Sequence, residues 1–299
     1  MFPFSDASVH HRTFPYVNSA LIGISVLVFL YEMVLGGLST LTGGGGLDLD
    51  IFFFKWGFIA KELTSGMPFE RLNTVSGPVD IETPAHTVFT IFSSMFIHGG
   101  FMHLAGNMMF LWVFGDNLED RFGHLKYLVF YLVAGVAATL SQWVINTDSQ
   151  VPLIGASGAI SGVLGAYLLI YPNNKVKALI IFFLITVVEM RAMWLLGAWF
   201  VWQLIQGSMS IGLSDSVSVA FFAHIGGFVA GMVIAGAYKL AIGESLNPRE
   251  TKVQPWDRWY QAGRGRDESF KPWFPRFSGL TSVVMTIRRR FLRPALVRA

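Results

Sequence analysis

Apolar residues gather in six runs separated by polar connections, at roughly residues 19–38, 101–118, 125–145, 156–171, 192–207 and 218–240. About 20 helical residues are needed to cross ~30 Å of hydrocarbon. The second, fourth and fifth runs are short by that measure. Short spans are accommodated when the bilayer thins or flanking residues snorkel. The pattern predicts an all-α membrane protein, a bundle of six transmembrane helices. A further apolar stretch, residues 178–190, holds about 13 residues behind Lys175 and Lys177 and ahead of Arg191. It is too short to cross, and is expected to be a re-entrant or interfacial segment between spans four and five.

Composition agrees with this pattern. Hydrophobic residues make up 53% of the 299-residue chain and charged residues 14%, against about a quarter charged in soluble domains. So apolar a chain argues against a nucleic-acid partner. The absence of cysteine removes disulfides, thiolate nucleophiles and Cys-rich zinc sites. Residues 1–16 lack the pattern of a cleaved signal peptide, so the first span is expected to be retained.

Charge adds orientation. Residues 241–299 carry twelve Lys/Arg against five Asp/Glu, and residues 39–102 carry three against six. With six spans both termini share one side. Arg121, Lys126, Lys175, Lys177, Arg191 and the basic tail then fall on that side, which the positive-inside rule makes cytoplasmic. The expected organisation is an N-terminal cytoplasmic segment (1–16), a six-span domain (17–240) and a basic cytoplasmic tail (241–299), with a bacterial plasma membrane as the default location. Within the tail, residues 280–298 read either as a basic amphipathic helix on membrane lipid or as a disordered basic segment. The opposite side carries loops 39–100, 146–155 and 208–217. The first of these is aromatic enough to lie partly in the interface.

Polar side chains inside apolar spans are costly and face protein or water. His103 and Asn107 lie near the start of span two, Ser157 at the start of span four, and His224 near the start of span six. Alternate spans run in the same direction, so these four residues share one depth, opposite the basic side. His103 and Asn107, at i and i+4, share a helix face. Gly227 and Gly231 form a GxxxG that lets another helix approach closely, and span four offers the small residues Ser157, Ser161 and Gly165. Close packing of spans four and six would bring the Ser157 hydroxyl to the His224 imidazole. Serine is a weak nucleophile until a base takes its proton, and histidine titrates in the range that suits that role. Donors for a tetrahedral oxyanion are at hand in His103, Asn107 and the backbone N–H at the start of span four. No acid completes a triad, so the expectation is a Ser–His dyad with no metal and no cofactor. Glu119 is expected to serve helix ends, and His98 to be a loop or interfacial residue.

The motifs HLAGN (His103, Asn107), GASG (Gly155, Ser157, Gly158) and AHIGGFVAG (Ala223, His224, Gly227, Gly231) resemble those of the rhomboid family of intramembrane serine proteases, over residues 17–240. The resemblance implies cleavage of peptide bonds in or near transmembrane segments of other proteins, in a six-helix bundle with a water-filled cavity. It implies Ser157 as nucleophile and His224 as base. His103, Asn107 and the backbone N–H groups of Ala156 and Ser157 would form the oxyanion site, and residues 192–217 would gate substrates. Each residue alone has a plainer reading, as packing or as interhelical hydrogen-bond glue. Two other functions remain beside the protease: a catalytically silent relative that binds transmembrane clients, and a transporter or channel. The latter lacks the paired intramembrane charges and repeats that usually mark it.

Overall fold

A computed structural model describes residues 2–6, 13–68, 70–74, 77–81, 87–181, 185–211 and 219–247. Two compact units divide the chain, Met1–Thr251 and Lys252–Ala299. The second unit, with the expected basic helix or disordered segment at 280–298, lies outside the described residues, as do positions 212–217 of the expected gate loop.

The apolar runs fold into helices α1 (Tyr16–Gly36), α5 (Phe101–Phe122), α6 (His124–Ile145), α7 (Ser157–Ile170), α8 (Ala192–Ser210) and α9 (Phe221–Ala241). Between α1 and α5 lie the short helices α2 (Leu47–Trp56), α3 (Ala60–Ser65) and α4 (Thr87–Ser93). Among the described residues three helical stretches are long and apolar enough to cross a membrane alone: Tyr16–Thr42, His124–Ile145 and Phe221–Ala241. Thr87–Phe96 and Phe101–Phe122, bent by 84°, make a fourth if taken together.

Helix α1 starts after Pro15 and buries one stripe, Asn18, Leu21, Ser25, Phe29 and Glu32, leaving its other face uncovered. Its first turn is closed by Glu119 of α5, whose carboxylate accepts the N–H groups of Val17 (2.9 Å) and Asn18 (2.7 Å). A carboxylate there satisfies two orphan donors and complements the helix dipole. Helix α5 runs past the expected end of span two because its polar last turn stays helical as far as Phe122.

Helix α7 has 14 residues, about 21 Å at 1.5 Å per residue, and is buried without a break from Ala159 to Tyr167. It is the core of the bundle. Its glycines meet α9: a methyl on Gly227 would strike the Gly158 carbonyl, one on Gly231 the Gly162 carbonyl, and one on Gly165 the Phe228 carbonyl. The expected GxxxG thus sits in a seam where two backbones touch.

One expectation needs correction: the molecule is mostly helical but not all-α. The segment expected to be re-entrant or interfacial takes the form of a β-hairpin. β4 (Lys175–Ile181) and β5 (Ile185–Arg191) pair antiparallel, with Lys175 opposite Arg191, and β1 (Phe2–Asp6) adds to β4. A second hairpin joins β2 (Arg71–Thr74) to β3 (Gly77–Asp80). The physical reason is side-chain type: Ile, Val, Thr and Phe dominate the stretch, and β-branched and aromatic residues fit a pleated surface. Lys175 lies 2.8 Å from Glu189, and its hydrogen bond and charge hold that carboxyl below the usual carboxylate range. The hairpin returns to where it left, since Ala192 N–H donates to the Asn174 carbonyl (2.8 Å) and Met193 N–H to that of Pro172 (3.0 Å). The two ends of the connection therefore lie side by side.

Candidate active site

The first turns of α5, α7 and α9 meet at one end of the bundle. At the other end the Tyr238 hydroxyl of α9 donates to the Arg121 carbonyl of α5 (3.1 Å), and Arg121 pairs with Glu244. The three helices therefore run in the same direction.

The loop before α7 is pinned from outside. Phe58 and Leu153 exchange backbone hydrogen bonds of 3.1 and 2.7 Å, Lys61 N–H donates to the Ser149 carbonyl (3.0 Å), and Gly155 N–H to that of Ser94 (2.9 Å). Gly155 has φ +121°, and a Cβ there would come within 2.8 Å of the His103 imidazole and 3.7 Å of Ser157 Oγ. Only glycine combines that backbone with that closeness. Ala156 is the N-cap of α7 and is fully buried. Ser157 follows as the first helical residue, where N–H groups lack intrahelical acceptors.

Ser157 Oγ lies 2.8 Å from His224 Nε2. His224 Nδ1 lies 2.8 Å from Oε1 of Gln203 on α8. With Nδ1–H donating to the amide oxygen, Nε2 keeps its lone pair and accepts the serine O–H. Trp199, one turn before Gln203, sets its ring 6.0 Å from the imidazole, tilted by 39°. Ser161 donates to the Ser157 carbonyl (2.6 Å).

Ser157 and His224 line a cavity of about 610 Å³ together with His103, Asn107, Gly155 and Trp199, a volume typical of ligand sites. Asn107 is 8% exposed, and its Nδ2 has no hydrogen-bond partner among the described residues. Ser157, His224, His103 and Asn107 are thus drawn to one cavity, and Gly227 and Gly231 serve the seam behind it. His98 lies in the connection ahead of α5 and is not among the residues that line the cavity. It is fully buried, its N–H donates to Glu32 Oε1 (3.1 Å), and its ring lies edge-on to His103 at 5.2 Å. Sequence reasoning passed over Gln203 and Trp199. The signal for Gln203 was there: Gln203 and Gln206 are the two polar side chains of the apolar run 192–207, and polar groups in a span call for a partner.

Residues 85–240 match the model of the rhomboid domain. The chain belongs to the rhomboid family. Among its relatives, RHOMBOID-like protein 5 of Arabidopsis thaliana is 31% identical over 151 residues, covering 48% of this chain and 42% of that protein. Rhomboid protein 1, mitochondrial, of Saccharomyces cerevisiae is 28% identical over 181 residues, covering 57% and 47%. Rhomboid protease GluP of Bacillus subtilis is 39% identical over 79 residues, covering 26% and 15%. The matched stretch thus spans less than half of each of these rhomboid proteins. The family and the apolar helices together make this an integral membrane protein of a family that includes proteases.

Proposed function

We propose that this rhomboid is an intramembrane serine endopeptidase that cleaves peptide bonds in or beside transmembrane segments of other membrane proteins. The observation that carries this reading is the 2.8 Å contact between Ser157 Oγ and His224 Nε2 on the wall of a 610 Å³ cavity. In this reading α1, α5, α6, α7, α8 and α9 all span the bilayer, and residues 17–240 form the catalytic domain. The basic connections and both termini lie on the cytoplasmic side.

Ser157 Oγ attacks the scissile carbonyl as His224 Nε2 takes its proton. The oxyanion forms where Asn107 Nδ2, a ring N–H of His103 and the backbone N–H groups of Ala156 and Ser157 can donate. The orphan amide of Asn107 is a donor already in place. His224 then returns the proton to the leaving amine, and water releases the acyl chain by the same steps in reverse roles. A silent client-binder has no use for a hydrogen-bonded serine and imidazole in an open cavity.

The test is a single-span model substrate with a serine-directed phosphonate. Wild-type protein should cleave the substrate and be labelled on Ser157. Ser157→Ala and His224→Ala should lose cleavage while melting like wild type in detergent. Full activity in either variant ends the dyad proposal.

A further inference from the structure

We propose that Gln203 is the positioning residue of the catalytic base, holding the His224 ring in the tautomer and orientation that lets Nε2 take the Ser157 proton. This rests on the protease reading above. A neutral imidazole has one N–H and one lone pair, and the partner of one nitrogen decides the role of the other. Among the described residues the hydrogen-bond partners of the His224 ring are Ser157 and Gln203, each at 2.8 Å. Gln203 is 7% exposed, so water does not compete freely for its amide. A ring free to flip would lose the Nε2–Oγ line, and a ring of the other tautomer would point a proton at the nucleophile.

The helix that carries Gln203 is itself held. Phe200 stacks on Phe228 of α9 at 4.3 Å and 16°, and Trp199 lies 6.0 Å from both Phe228 and His224. Gly207, one turn after Gln203, packs against Phe221 and Ile225 of α9. These contacts fix the rotation of α8 that turns Gln203 inward. The amide carries no formal charge, so it orients the ring without stabilising the imidazolium as a carboxylate would. The titratable side chains on the cavity, among the described residues, are His103 from α5 and His224 itself, with no Asp, Glu, Lys or Arg in the lining.

The experiment measures kcat and KM against pH for full-length wild type, Gln203→Met and Gln203→Glu in proteoliposomes. Gln203→Met should lower kcat by about 10- to 100-fold with KM little changed. Gln203→Glu keeps an acceptor oxygen and should restore most of the activity at high pH. Its carboxylate favours imidazolium, and the base works only when neutral. The acid limb of kcat/KM should therefore move to higher pH, by about one unit or more. A Gln203→Met enzyme with wild-type kcat and pH profile overturns the proposal. So does a Gln203→Glu enzyme whose acid limb stays in place, which remains decisive where Gln203→Met does not fold. Wild type that neither cleaves nor takes the phosphonate label sinks the protease reading instead, so the two failures are distinct.

Discussion

Asn107 and Glu119, three turns apart on α5, show opposite uses of a buried polar group. Asn107 keeps a donor without a partner, and such a group costs about 1–3 kcal/mol. We expect Asn107→Leu to melt at or above the wild-type temperature while cleaving about 10²-fold more slowly. Normal turnover with a lower melting temperature would make the residue a packing element instead. Glu119 is fully satisfied: one oxygen takes Val17 N–H and His124 Nδ1, the other Asn18 N–H. Glu119→Gln leaves one acceptor oxygen and sets an NH₂ against a donor. It should cost about 1–3 kcal/mol, seen as earlier unfolding in detergent. That Ser157 and His224 come together was legible in the sequence, because both are polar breaks in apolar runs at the starts of alternate helices. The acceptor for Nδ1 was not, because the side on which Gln203 faces depends on the rotation of α8, which its apolar run leaves open.

At the scale of elements, the seam between α7 and α9 admits no added atoms. Gly231→Ala drives a methyl into the Gly162 carbonyl. Overpacking of this kind costs about 1–3 kcal/mol, so the variant should melt earlier and lose activity as α9 carries His224 away from α7. Gly23→Ala on α1 meets nothing within 4 Å and should melt no earlier than wild type, since alanine favours helix. If both variants behave alike, the seam is not a tight contact. Helices α1 and α5 to α9 were legible as elements because each follows an apolar run, whereas α2, α3 and α4 lie in the stretch read as a loop. The β4–β5 hairpin was not, because a short apolar run has no period that separates strand from helix. Its dense β-branched content was the available clue. Its partner β1 lies some 170 positions earlier in the chain, beyond the reach of any local pattern.

For the whole molecule, the proposed topology sets Gln150, ahead of α7, and Asn173, behind it, on opposite faces of the bilayer. Both are exposed, and the chain has no cysteine to interfere. In sealed vesicles of one orientation, a membrane-impermeant maleimide should label Gln150→Cys or Asn173→Cys but not both. Labelling of both from outside would contradict an odd number of crossings between them.

The order β1–β4–β5 also has a consequence in time. Phe2–Asp6 leaves the ribosome well before its pairing partner Lys175–Ile181. At about 5–20 residues per second, the early strand waits roughly ten to thirty seconds, while the chain from α1 to α7 is made. The first segments must therefore be made without the sheet, which can close only after α7 has emerged, with α8 and α9 still to follow.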